Sequence, residues 1–488
     1  MGVVRGLEAQ EFSDIHNAEG SFTHMTDAPW TGDASSLVEA FRSGDRSPIE
    51  EMEATLAAAD ATRLNCFSHL DPEMAIAKAA KADTSKPFGG VPLGVKELDH
   101  YEGWPATQAS LLFAEEVATD TSLNVDRTEK LGGAVPFGLT TASEFGGLNV
   151  SNTRLNGVTG NAWKPEMTPG GSSGGSASAV AAGICPLASG GDGGGSIRIP
   201  AGFCGLPGLK TTAGRIPRGP NASVHPMTVV NGVLARSVRD LARHLDVASG
   251  YDPVDPYSLP RRDGWEANLG SYGDSLRGRR AVISPDLGVA TVNPEVARRV
   301  RDAGEALAAD AGLVLVDVPV ELPGLGLEWA MGNLCHLRHE LGDDWRDKLQ
   351  QLTPAMAFGL EMADSAMNLD TMGAAEAART RANATLAELF AQVDFIISAT
   401  NPDTAFPAHL EVNTRVAGTK VDLGNNGALT IPYNIVGNPA ISIPVEQLNG
   451  LPVGMQVASR HHSEELLLDL ATLAEAQCPW PLVAPNIS

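Results

Sequence analysis

Short, continuously apolar runs recur along the chain with helical stretches between them, and this alternation leaves few folds open. The runs include GGVPLGVK, ending at Lys96, and the segments 134–139, 185–189, 280–284, 313–318, 394–400, 440–445 and 453–458. Most do not alternate apolar with polar residues, so each would be buried on both sides, as in a sheet covered by helices on both faces. Between them, SSLVEAFRSG, SPIEEMEATLAAADA and the segments 73–82, 294–311, 374–391 and 464–476 read as helices. Ser47 before Pro48 predicts an N-cap followed by a first helical residue. The pattern predicts an α/β fold: one large domain over 34–488, with a β-sheet covered by helices on both faces. Residues 1–33 lack periodicity and read as an N-terminal extension. The length of 488 residues would nominally allow three domains, but the same alternation runs through the whole chain.

Charge and cysteine content narrow the function classes. Against 35 Lys and Arg stand 59 Asp and Glu, a formal charge of −24. Such a surface argues against nucleic acid or anionic membrane as a partner and favours small substrates. The five cysteines show neither CxxC spacing nor a disulfide framework, which suggests a reducing compartment. The apolar stretch near 177–188 is short and broken by glycine, and the first residues carry no apolar core, so a cytoplasmic protein is expected. No cofactor and no metal are expected. A homodimer stays open as the assembly.

Glycine is concentrated in one place. Residues 160–219 hold 16 of the 52 glycines, where an even spread would give about six. A flexible linker is the bland interpretation, but apolar runs interrupt the glycines and serines. A phosphate-binding loop is weakly supported, because no GxxxxGK[ST] occurs and Ser196 stands where GxGxxG needs its last glycine. Residues 171–175, GSSGG, formally fit the G-x-S-x-G elbow centred on Ser173, with His409, His461 and His462 as late partners. The run GDGGGS at 191–196 offers a different chemistry: three successive glycine amides before Ser196 can aim N–H groups at one point and form an oxyanion hole. A serine there needs a base. Lys96 ends the apolar strand VPLGV, where burial would lower its pKa toward the neutral form.

These motifs together resemble the amidase signature family. GGSSGGSASAVAAG followed by GDGGGSIRIPAGFCGLPGLK matches the family's signature, GGVPLGVKEL matches its lysine segment, and the similarity extends over roughly 34–480. The resemblance implies a Ser-cisSer-Lys triad on a mixed β-sheet covered by helices on both faces: Ser196 as nucleophile, Ser172 as bridging serine, Lys96 as base, with a cis peptide at Gly171-Ser172. Ser173 becomes a neighbour that, with Gly171, supports the loop. The amides of Gly193, Gly194 and Gly195 are the expected oxyanion donors. Asp192 and Arg198 are expected to pair and fix the loop, with a substrate carboxylate as the other partner open to Arg198. Cys204, in an apolar turn, reads as a packed thiol.

The expected activity is hydrolysis of the C–N bond of a small-molecule amide, with carbamates and esters chemically close. The alternative within the family is a glutamine amidotransferase subunit working with a partner on aminoacyl-tRNA, although DGGGSIRIP lacks the threonine expected there. Trp329, Met331, Trp345, Met356, Phe358, Met362 and Met367 form apolar stripes that suit core or pocket.

Overall fold

The computed structural model describes residues 28–220 and 228–485. Eleven strands make up two mixed sections of sheet. In chain order the first five are β1 (Phe67–Leu70), β2 (Pro92–Lys96), β3 (Val135–Thr140), β4 (Leu187–Asp192) and β5 (Gly208–Lys210). The remaining six are β6 (Val230–Ala235), β7 (Arg280–Ile283), β8 (Val314–Leu315), β9 (Phe395–Ala399), β10 (Ala440–Leu448) and β11 (Leu451–Ser459). One section runs β1-β3-β2-β4-β6 and the other β8-β7-β9-β11-β10-β5. Edge strands β5 and β6 pack against each other and join the two. In the first section β2 pairs parallel to both β3 and β4, whereas β1 and β6 run antiparallel at its edges.

Helices cover both faces, as the apolar runs predict. Strand β9 shows why. Ile397 meets the helix Pro294–Ala311, where an added Cβ on Gly304 would lie 3.2 Å from it. The next residue, Ser398, points the other way and accepts a hydrogen bond from Gln456, whose carbonyl binds Arg198 on the opposite side. Strand β2 is buried at all five positions because it is central and covered twice.

Local signals set the element ends. Ser47 caps the helix Pro48–Ala61 through a reciprocal capping box with Glu50. Asn293, Pro294 and the left-handed Gly312 bound the helix Pro294–Ala311. The helix predicted over 374–391 starts earlier, at Leu369, because Asn368 caps it with help from Thr371. Strands β1, β5 and β6 were not expected: β1 and β5 are short, and Asn231 and Gly232 break the apolar run of β6.

Of the expected 1–33 extension, residues 1–27 lie outside the described residues. Residues 28–33 are tied down, since the Trp30 and Gly32 carbonyls both accept from Arg236. Among the described residues no helix is long and apolar enough to cross a membrane.

Candidate active site

Three segments meet at the C-terminal ends of β2 and β4. Strand β2 carries Lys96 at its last position, and β4 carries Asp192 at its own. The third segment is the loop that leads into the helix Gly174–Ala181. Its Gly171-Ser172 peptide is cis, as the sequence resemblance implies. Gly171 is required there by crowding: a Cβ would lie 2.6 Å from the Val150 nitrogen.

Lys96 Nζ lies 2.8 Å from Ser172 Oγ and 3.4 Å from the Gly191 carbonyl. The side chain is 3% exposed. Burial pushes its ammonium down to about 8, while Asp99 and Asp192 pull it the other way. Asp99 belongs to a chain of contacts behind the lysine: its carboxylate accepts from Ser189 Oγ at 2.6 Å, and Ser189 Oγ accepts the Lys96 backbone N–H at 2.8 Å. A lysine so placed is close to the balance point between ammonium and neutral amine. It can take a proton from Ser172.

Ser196 is 7% exposed and follows the glycine run. The Ser172 hydroxyl meets Lys96 and not Ser196 in this structure. Ser173 is fully buried and donates to the Gly191 carbonyl at 3.4 Å, and among the described residues no histidine bonds to it, so the elbow arrangement with His409, His461 or His462 is not formed. His461 instead lies 3.0 Å from the Val436 carbonyl, and the His462 backbone N–H binds Thr212.

The loop 192–198 is held by an ion pair with no exposure on either side. Arg198 donates Nε to Asp192 Oδ2 and Nη2 to Asp192 Oδ1, both at 2.9 Å. Its remaining donors go to Gln456, Asn434 and the Thr430 carbonyl. Protein groups therefore occupy every Arg198 donor, which leaves none for a substrate carboxylate. Burial alone would raise the Asp192 carboxyl, but Arg198, with Lys210 and Asn434, outweighs it and holds the group well below the usual carboxylate range.

Gly195 departs from the expected oxyanion role. Its N–H donates to Asp192 Oδ1 at 2.8 Å and so faces into the loop's own support. The peptide carbonyls of the run are each held: Gly193 O by Trp329 Nε1 at 2.6 Å, Gly194 O by Thr430 Oγ1 at 2.6 Å, and Gly195 O by the Ile199 N–H at 2.6 Å. The N–H groups of Gly193, Gly194 and Ser196 meet no acceptor among the described residues. They are the donors left for a developing negative charge.

The sequence did not single out Asp99, Ser189, Thr430, Asn434 or Gln456. Asp99 lies three residues after Lys96, which is a local hint. Thr430, Asn434 and Gln456 arrive from more than 230 residues downstream of the loop, and nothing local marks them. Of the Met and aromatic stripe, Trp345, Met331 and Met356 are core and Phe358 is 58% exposed, whereas Trp329 touches the glycine run. Cys204 is buried, which pushes its thiol up, and it contacts the Pro169 carbonyl. It is a packed thiol. Among the described residues no group of three or more His, Cys, Asp or Glu could hold a metal ion.

Comparison with known proteins supplies independent context. The sequence profile of a family described as Amidase matches residues 50–468. An acylamidase of Rhodococcus erythropolis is 31% identical over 470 residues, covering 92% of this chain and 95% of its own. The A-type component of the glutamyl-tRNA(Gln) amidotransferase of Chloroflexus aurantiacus is 32% identical over 484 residues, covering 92% and 97%. Among solved structures, a 6-aminohexanoate cyclic dimer hydrolase is 28% identical with a TM-score of 0.82, covering 93% of this chain and 99% of that one. A bacterial aryl acylamidase shares the fold, with a TM-score of 0.84 at 24% identity, over 92% and 97%.

Proposed function

The chain belongs to the amidase signature family, and on that premise we propose that it hydrolyses the C–N bond of small amides through an acyl-enzyme on Ser196. The observation that carries this reading is the buried Lys96 within 2.8 Å of Ser172 beside the held glycine run. Neutral Lys96 takes the proton of Ser172, and Ser172 takes that of Ser196. The step requires the Ser196 hydroxyl to donate to Ser172. Ser196 Oγ then bonds to the carbonyl carbon, and the carbonyl oxygen gains the negative charge. The Gly193, Gly194 and Ser196 N–H groups stabilise that oxygen. As the tetrahedral species collapses, the C–N bond breaks and the relay returns a proton to the leaving amine. Water then repeats the sequence on the ester, releasing the acid and restoring Ser196.

The small-amide reading draws on similarity to the acylamidase; the amidotransferase components, at similar identity, supply the second reading. Steady-state assay of the purified chain alone separates them. Sustained hydrolysis of aryl and linear amides without a partner is expected. Turnover of glutamine only when a partner protein and tRNA are added would favour the amidotransferase reading.

A further inference from the structure

Trp329 lies on the helix Gly326–Glu340, 136 residues from the glycine run, yet it is the side chain that fixes one peptide of that run. Its indole N–H donates to the Gly193 carbonyl at 2.6 Å. Its ring edge covers the next residue: a Cβ on Gly194 would lie 2.9 Å from Cε2, 3.0 Å from Cζ2 and 3.1 Å from Nε1. The peptide between Gly193 and Gly194 is trans, so its N–H points opposite to its carbonyl. Holding the Gly193 oxygen thereby sets the direction of the Gly194 N–H. Two neighbouring peptides are held in the same manner by groups nearer the core, Thr430 for Gly194 O and the Ile199 N–H for Gly195 O. Only the Gly193 peptide relies on a partly exposed residue of the segment between Gly326 and Gln392. The indole itself is anchored beside Leu325, Ile431 and Ile435.

We infer that Trp329 is a positioning residue: its indole N–H orients the Gly193-Gly194 peptide so that the Gly194 N–H faces the oxygen that becomes negative during acylation of Ser196. The inference rests on the proposed acyl-enzyme. Its consequence is a contribution felt in the transition state and not in ground-state binding. Trp329 touches no reacting atom; it acts through the backbone.

The test is Trp329→Phe, which keeps a ring against Gly194 and removes the N–H. Expected is a fall in kcat of about 10-fold to 100-fold, somewhat less than the 10²–10³ typical of deleting an oxyanion donor outright. KM should change less than about twofold. Affinity for a trifluoromethyl ketone, which forms an oxyanion on Ser196, should fall in parallel with kcat, while affinity for the isosteric unreactive amide stays level. If the phenylalanine variant packs poorly, replacement of Trp329 by benzothienylalanine keeps the indole's shape with sulfur in place of N–H, and the same loss is expected. Unchanged kcat in either variant, or equal losses for the ketone and the amide, would overturn the inference. Wild-type enzyme labelled by a fluorophosphonate separates the two levels: label on Ser196 with unchanged kcat in the variants defeats the role of Trp329 alone, and label on another residue defeats both.

Discussion

At the scale of single residues, the proposed proton relay requires Lys96 to be neutral when it accepts the proton of Ser172. Burial brings its ammonium down to about 8, so the neutral fraction rises as pH rises through that value. The expected profile of kcat/KM climbs tenfold per pH unit below about 8 and levels above it, checked by rate measurements on an amide whose own groups do not titrate there. Lys96→Ala should lose about 10²-fold or more in turnover, and retained activity would point to a different base. Gly195 carries a second prediction. Its φ of +127° suits glycine, and a Cβ would lie 2.5 Å from Thr430 Oγ1, the group that holds Gly194. Gly195→Ala should therefore lose about 1–3 kcal/mol of stability, read from denaturant unfolding, together with most turnover. At this scale Lys96 and Ser196 stand out as candidates in the sequence because a lysine ending an apolar strand and three glycines before a serine are each unusual locally. The commitment of the Gly195 N–H to Asp192 was not, because it depends on where a carboxylate turns after the backbone folds.

At the scale of elements, the Asp192–Arg198 pair joins the end of β4 to the helix Arg198–Cys204, and Arg198 also binds Thr430, Asn434 and Gln456. One side chain thus connects the glycine-rich loop 192–198 to β11 and to the helix Ile431–Val436. Removing one member of a buried pair leaves the other charge without compensation. Arg198→Ala should cost about 3–5 kcal/mol in denaturant unfolding near neutral pH. Arg198 is the strongest of the groups that hold the Asp192 carboxyl below its unfolded value, so the stability its removal forfeits is present near neutral pH, and the deficit shrinks as pH falls and the carboxyl takes up a proton. A deficit independent of pH would argue against this. The elements themselves were largely readable, since continuously apolar runs became β2, β3, β4, β7, β9, β10 and β11. Strand β6 was not, because its pairing with β4 along six residues compensates for Asn231 and Gly232.

At the scale of the whole molecule, a fold of two sheet sections brings Lys96 against Ser172, 76 residues away in sequence, and beside the glycine run, with Trp329 and Thr430 supplied by later segments. Net charge acts at the same scale. A chain of −24 attracts cations through its summed field, and salt screens that field. The ratio of kcat/KM for a cationic anilide to that for a neutral one should fall several-fold as the screening length shrinks from about 30 Å at about 0.01 M salt to about 3 Å at about 1 M. A ratio that stays flat would mean that the field near the site is neutral. The most direct test of the central claim is the position of covalent attack. Mass spectrometry after treatment with a fluorophosphonate should find one adduct, on Ser196, abolished in Ser196→Ala. An adduct on Ser173, or labelling that persists in Ser196→Ala, would contradict the account.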